Sequence, residues 1–357
     1  MKGKLLGMLA LLVCMPAFAQ SSVTIYGVLD AGITYTSNQG GKSNYFYQSG
    51  TMVPTLWGLR GTEDLGGGTK AIFRLVNNFN DGTGAMVNGL LFGKEAWVGL
   101  TNEQYGTVTA GNQFDFMFRY MTIDRWGAML KYNPVYYTQQ GPFAKLNLPN
   151  GSMDFDRTAG SITTNNAISY ETPNFHGLKF GAMYAFGGQP GAFGQNSTQS
   201  FGVSYAGGVM TLDAAYTYTK FPNINNGNNG IRNWGIGGRA NIADFMIDAM
   251  FTNTENTYNG GRVNVYEVGG YYQISDNNEM TVGYQFNQGN AVLSNNHAHQ
   301  ANVTLAHDFS KLTFVYATVA RQWVSGDGDA FAAIIGAGGT SSGSTQTLCR
   351  VGLTVRF

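Results

Sequence analysis

The chain has 357 residues, with 21 Lys and Arg against 21 Asp and Glu, so its formal net charge is zero. Charged residues make up 12%, about half the share of an ordinary soluble domain, and the balance excludes the strong basic excess of a nucleic-acid binder. An aromatic content of 13% argues against disorder, and so few charges predict a surface that largely does not face water.

The chain opens with Lys2 and Lys4, a mostly apolar run over 5–15, and small residues at Ala17 and Ala19. That order predicts a secretory signal peptide over 1–19 and a mature chain over 20–357. A lipid anchor at Cys14 is the weaker reading, because Val13 stands where a small residue is wanted. Cleavage would leave Cys349 as the one cysteine, which excludes an intramolecular disulfide and a Cys-rich metal site. Beyond the leader no run reaches the roughly 18 apolar residues of a membrane helix. An exported, charge-poor chain of this kind is either a soluble β protein or a closed membrane barrel.

Downstream, apolar residues recur at every second position. Leu178, Phe180, Ala182 and Tyr184 oppose Lys179, Gly181, Met183 and Ala185. Met210, Leu212, Ala214 and Tyr216 oppose Thr211, Asp213, Ala215 and Thr217, and Met280, Val282 and Tyr284 oppose Thr281, Gly283 and Gln285. At the C-terminus Cys349, Val351, Leu353, Val355 and Phe357 alternate with Arg350, Gly352, Thr354 and Arg356. Period two predicts strands with one apolar and one polar face. Two runs are poorly phased: 262–273 changes parity near Tyr266, and 311–322 alternates weakly.

Connections alternate between tight and long. Turn residues cluster at 64–68, 102–104, 173–177, 206–208, 243–244, 275–278 and 308–311. Polar, Gly- and Asn-rich stretches fill 36–51, 79–91, 114–164, 187–198, 220–230, 255–261, 288–295 and 323–345. The runs between them begin near 23, 52, 69, 92, 105, 165, 177, 198, 209, 231, 244, 262, 278, 296, 311 and 346. The predicted fold is all-β: a transmembrane antiparallel β-barrel of about sixteen strands, with about fourteen or eighteen left open. Hydrocarbon offers no partner to a backbone amide, so such a sheet must close. Tyr35, Trp57, Trp97, Tyr105, Tyr170, Phe175 and Phe357 fit aromatic girdles at the interfaces. A soluble barrel or sandwich would need an apolar core that the polar inner positions cannot supply.

The segment Ser22-Val23-Thr24-Ile25-Tyr26-Gly27-Val28-Leu29-Asp30 resembles the first strand of Gram-negative general-diffusion porins of the β-proteobacterial type. Gly58-Leu59-Arg60-Gly61-Thr62-Glu63-Asp64-Leu65-Gly66-Gly67-Gly68 resembles their second strand and first periplasmic turn. Trp97-Val98-Gly99-Leu100, Tyr105-Gly106-Thr107-Val108-Thr109, Asn166-Ala167-Ile168-Ser169-Tyr170 and the terminal Phe357 continue the match across the mature chain. The resemblance implies a sixteen-stranded outer-membrane barrel, usually a homotrimer in lipid and lipopolysaccharide, that passes small hydrophilic solutes and ions without a cofactor. It also implies that the third long loop, here 114–164, folds inward as a constriction. Asp115, Asp124, Asp154 and Asp156 are then the acidic candidates, with Arg119, Arg125, Lys131, Lys145 and Arg157 as the basic ones. Arg60 and Lys94 match basic positions of the opposite wall, whereas Leu56, Asn112 and Thr163 stand where arginines are common. Asp30, Lys70, Arg74, Glu171, Lys179 and Arg239 are further inward-phased charges.

A few charges in a narrow slot between low-dielectric walls bias ions by sign, and so few wall arginines predict weak ion preference. Glu95 reads as lipid-phased and therefore as a subunit contact. Two other functions compete with this one. A barrel enzyme would need a Ser/His or Asp/His set, but His176 and His307 fall at short turns, and His297 with His299 lacks further metal ligands in view. No His-Glu-x-x-His or phosphate-binding loop occurs. A channel selective for a sugar or a carboxylate is the nearer rival, left open by loop aromatics such as Phe114, Phe116, Phe118 and Tyr120.

Overall fold

The computed structural model describes residues 22–123, 141–149, 154–327 and 330–357. The leader over 1–19 and the candidates Asp124, Arg125 and Lys131 lie outside the described residues. Seventeen strands form one sheet: β1 (Ser22–Gln39), β2 (Lys42–Ser49), β3 (Leu56–Gly66), β4 (Thr69–Asn78), β5 (Glu95–Asn102) and β6 (Gly106–Gln113) come before the long loop. After it come β7 (Thr164–Glu171), β8 (Leu178–Ala185), β9 (Thr198–Gly207), β10 (Met210–Lys220), β11 (Gly230–Ile242) and β12 (Phe245–Asn256). The series ends with β13 (Arg262–Ser275), β14 (Asn278–Gly289), β15 (His297–Asp308), β16 (Thr313–Ser325) and β17 (Thr345–Arg356).

Neighbours pair antiparallel, and β1 pairs with β17 from Val28↔Arg356 to Thr36↔Leu348, so the sheet closes and leaves no edge. One half of β1 pairs with β3 and the other with β2. β2 and β3 are thus one stave broken at 50–55, and the barrel has sixteen staves. The predicted loop over 36–51 is a correction. β1 runs on to Gln39, turns at Gly40 and Gly41 with φ of 60° and 99°, and β2 returns along it. Polar composition concealed this hairpin because it contains few of the apolar residues that mark a lipid-facing strand.

The two faces are the reverse of a soluble core. On β1 Val23, Ile25 and Ile33 are 65%, 66% and 63% exposed, while Asp30, Thr34 and Thr36 on the alternate face are fully buried. Burying a side chain of the Val or Leu class is worth about 1.5–3 kcal/mol, and an acyl-chain environment supplies that gain to every outward residue. The polar residues need partners or water, and the closed interior provides both.

The two badly phased runs hold a single parity. Val263, Val265 and Glu267 of β13 are buried inward, and Tyr266 and Val268 face out. Val263 and Val265 are apolar although inward because Phe143, Leu146 and Leu293 pack on them. On β16 the inward Ala320 is covered by Ile334 and Ala337, and the inward Phe314 and Tyr316 by Met52. Segments folded over the inner wall make its apolar residues useful and erase the alternation. Beside them Arg350 is fully enclosed, paired with Asp30 at 3.4 Å and donating to Tyr316 Oη at 2.6 Å, while Asp30 accepts from Met52 N at 2.7 Å. This cluster clips the broken stave to the closing strands.

Candidate functional site

After β6, Asp115 caps the single turn α1 (Phe116–Phe118), accepting from Phe118 N at 3.1 Å, and a wider turn follows over Arg119–Ile123. Phe116, Met117, Tyr120 and Met121 are buried against Ala167, Met183, Ala215 and Met250, all at inward register positions. Glycines allow the close approach: a Cβ on Gly181 would lie 1.9 Å from the Phe116 ring, and one on Gly202 2.6 Å from the Tyr120 ring. Farther along, inward amides satisfy loop carbonyls. Asn233 donates to Phe155 O at 2.8 Å, Asn256 to Leu146 O at 2.9 Å and Asn296 to Pro142 O at 2.6 Å. A buried carbonyl without such a partner would be costly.

The acids of this segment do not face open space. Asp115 is buried in an ion pair with Arg157, which also donates to Thr164 Oγ1 at 3.2 Å. Asp154 is buried and accepts from Ala159 N at 2.6 Å and from Ser161 N at 3.0 Å. Asp156 is buried too, taking Thr158 Oγ1 at 2.6 Å and Thr252 Oγ1 at 3.3 Å. For these three the expectation of pore-facing carboxylates is corrected. Asp154 and Arg157 have positive φ of 65° and 64°, and such turns aim amides inward that need an acceptor. Burial, reinforced by the neighbouring Asp154, pushes the Asp156 carboxyl up to about 6, and burial raises Asp154 as well. Lys94 donates to Gly160 O and lies 5.1 Å from the Phe114 ring, so it ties the wall to the loop.

Facing the loop stands a wall of charges on β3 to β8. Arg60 and Arg74 are register partners and flank the Tyr26 ring at 5.3 and 5.6 Å. Arg74 Nε donates to Tyr26 Oη at 2.8 Å and pairs with Glu95 at 3.2 Å, and Trp97 Nε1 donates to Glu95 at 2.8 Å. Glu171 collects Arg119 from the loop, Lys179 at 3.0 Å and Tyr120 Oη at 3.1 Å. A cavity of about 230 Å³ opens here between Arg74, Glu95, Trp97, Phe114, Arg119 and Glu171. A second space of about 610 Å³ lies farther toward the long loops, lined by Pro54, Asn78, Lys94, Ser161 and Thr163 among others. Consecutive residues line the two spaces at the start of β5, Lys94 bordering the larger and Glu95 the smaller.

A profile of Gram-negative porins matches residues 6–327. The chain belongs to the Gram-negative porin family. This porin is 27% identical to outer membrane porin protein 32 of Delftia acidovorans over 378 aligned residues that cover 100% of both chains. It is 28% identical to an outer membrane porin of Bordetella pertussis over 278 residues, or 69% of this chain and 67% of that one. Its fold matches the anion-selective porin from Comamonas acidovorans with a TM-score of 0.78 at 24% identity, covering 95% of this chain and 100% of that one. It is an outer-membrane porin, and the apolar outer face of the barrel described above is the face that meets lipid.

Three features of the porin's wall escaped the sequence reading. Glu95 sits opposite Val76 on the inward face, buried, and is neither lipid-facing nor a subunit contact. Trp97 shares that face and belongs to no outer girdle. Tyr26 is the third, inward between two arginines. The signal was present: Glu95, Trp97, Gly99 and Thr101 alternate with Ala96, Val98 and Leu100, but a lumenal Lys94 put its neighbour Glu95 on the lipid side. His297 and His299 lie on the outer face of β15, where His299 is stacked 5.4 Å from Trp323 and bonded to Tyr284 Oη at 2.7 Å. Among the described residues no group of His, Cys, Asp or Glu is arranged to hold a metal.

Proposed function

We propose that this porin is a passive, water-filled channel, acting without chemistry or cofactor, in which 114–164 narrows the lumen against the wall of β3 to β7. The observation that carries the reading is the seating of Phe116, Met117 and Met121 on inward positions of the far wall, with open cavity left on the near one. Small hydrophilic solutes and ions then pass between Arg74 and Arg119, limited by size and charge. Because the loop acids are used as internal pins, the cluster at the narrow part holds Arg60, Arg74, Arg119 and Lys179 against Glu95 and Glu171. That imbalance favours anions. Two unit charges about 4 Å apart interact by about 1 kcal/mol in bulk water but by about 4 kcal/mol at an effective dielectric of 20, so an excess of two cations suffices for a clear bias. The matched Comamonas porin is anion-selective, which supports the same sign here. The reversal potential across a planar bilayer under a KCl gradient tests it: we expect the value of an anion-preferring pore, and a cation-preferring value would overturn the reading.

We further infer export through the leader at 1–19 and assembly as a trimer in lipid and lipopolysaccharide. Support for a subunit contact comes from Arg321, an exposed outward residue of β16 with no ion pair among the described residues. A basic side chain facing hydrocarbon is costly, by about 2–4 kcal/mol at mid-membrane and less toward the interfaces, and a second copy of the chain would cover it.

A further inference from the structure

We infer that the cavity between β4 to β7 and the start of the long loop is a binding subsite for small aromatic carboxylates. The inference rests on the reading of that wall as the open side of the lumen and adds a solute class to it. Arg74 is the anchor. Its Nε is taken by Tyr26 and Glu95, while its two Nη groups have no hydrogen-bond partner among the described residues and its side chain is 41% exposed. The free edge of a guanidinium held rigid at its other end is a ready fork for a carboxylate, which it meets with two parallel hydrogen bonds.

The rest of the cavity selects what the carboxylate is attached to. Trp97 is pinned through its indole N–H to Glu95, and Ile72 and Trp97 give an apolar flank beside the fork. A flat ring gains from an aromatic neighbour more than an aliphatic body of equal size does. At about 230 Å³ the space is smaller than the roughly 300–1,000 Å³ of a drug-sized site, so it takes one ring. Glu95 and Glu171 oppose a second negative charge, which favours monocarboxylates over dicarboxylates. Neutral sugars would leave the Arg74 fork unanswered. An aromatic monoacid answers the Arg74 fork and the Trp97 and Ile72 flank at once.

The test is solute block of single-channel ion current through the purified full-length mature porin in planar bilayers. Benzoate, cyclohexanecarboxylate and acetate share one charge and differ in ring and size. We expect benzoate to halve the current at about a fifth of the concentration that cyclohexanecarboxylate needs, with acetate weaker than both. Trp97→Leu should bring benzoate and cyclohexanecarboxylate together. Arg74→Lys, which keeps a charge and loses the fork, should weaken block by benzoate about tenfold. Equal block by benzoate and cyclohexanecarboxylate in the unaltered porin overturns the inference, as does an undiminished benzoate preference in Trp97→Leu. Should either variant fail to insert, the order of the three acids in the unaltered porin decides by itself. Ion current with no benzoate preference removes this subsite alone, whereas absence of current removes the channel reading beneath it.

Discussion

Asp156 shows how a single side chain makes the loop's packing respond to pH. Its carboxyl is enclosed, bonded to Thr158 and to Thr252 of the far wall, and burial with Asp154 nearby raises it to about 6. A carboxyl raised on folding stabilises the packed state fully below its unfolded value of about 4. That contribution is lost as pH rises through about 6. Packing of 154–164 on the barrel wall should therefore be tighter at pH 4 than at pH 7.5. Amide hydrogen exchange over 154–164, corrected for intrinsic rate, should show more protection in acid, and Asp156→Asn should reduce the difference, leaving the part due to Asp154. Equal protection factors at both pH values would refute the assignment. Glu95 carries the complementary lesson. One carboxylate orients Arg74 and Trp97 together, and its position was recoverable from alternation, whereas its partners were not.

Among the elements, the broken stave is the most instructive. β2 and β3 cannot run straight through because Met52 turns inward to cover Phe314 and Tyr316, and the break is held by Asp30 and Arg350. Both are fully buried and share Tyr316, with Thr34 and Gln48 O completing the Arg350 contacts at 3.1 Å each. Removing one partner of a buried pair leaves the other charge uncompensated, at a cost of about 3–5 kcal/mol. Arg350→Leu should thus lower the thermal unfolding midpoint of the barrel in detergent, while Asp30→Asn with Arg350→Leu should recover much of the loss. An unchanged midpoint in the single variant would show that the cluster is not needed to clip the stave. Strand starts were legible to within about 4 residues almost everywhere, the ordinary error of such reading. The stave containing β2 and β3 was the exception, since Lys42, Ser43, Asn44, Gln48 and Ser49 make most of β2 polar and mask its short alternation.

For the whole molecule the governing fact is closure, with β1 bonded to β17 and no free edge. A closed wall leaves the outer surface as the place where copies can meet, and Arg321 is an outward charge on that surface. Arg321→Glu should lower the temperature at which the proposed trimer dissociates on mild-detergent electrophoresis. An unchanged dissociation temperature would place Arg321 against lipid headgroups instead. The wall also explains why glycine is abundant. Gly181 and Gly202 are required where α1 and the turn after it lie on the strands, so some glycines of this porin belong to the lumen's packing as well as to its turns.

The primary structure alone determined period two, a stave number near sixteen and a polar interior, because each follows from what water and hydrocarbon accept from a repeating backbone. It also carried the inward phase of Arg60 and Arg74. Only the tertiary structure decided which charges face open space, because that depends on segments folding back over the wall from far along the chain. Asp115, Asp154 and Asp156 look like pore acids in the sequence, yet the turns around them need acceptors, and the carboxylates serve those turns. The same covering made Val263, Val265 and Ala320 apolar on the inner face. Alternation reports the solvent on each side of a strand, and it fails wherever protein takes that solvent's place.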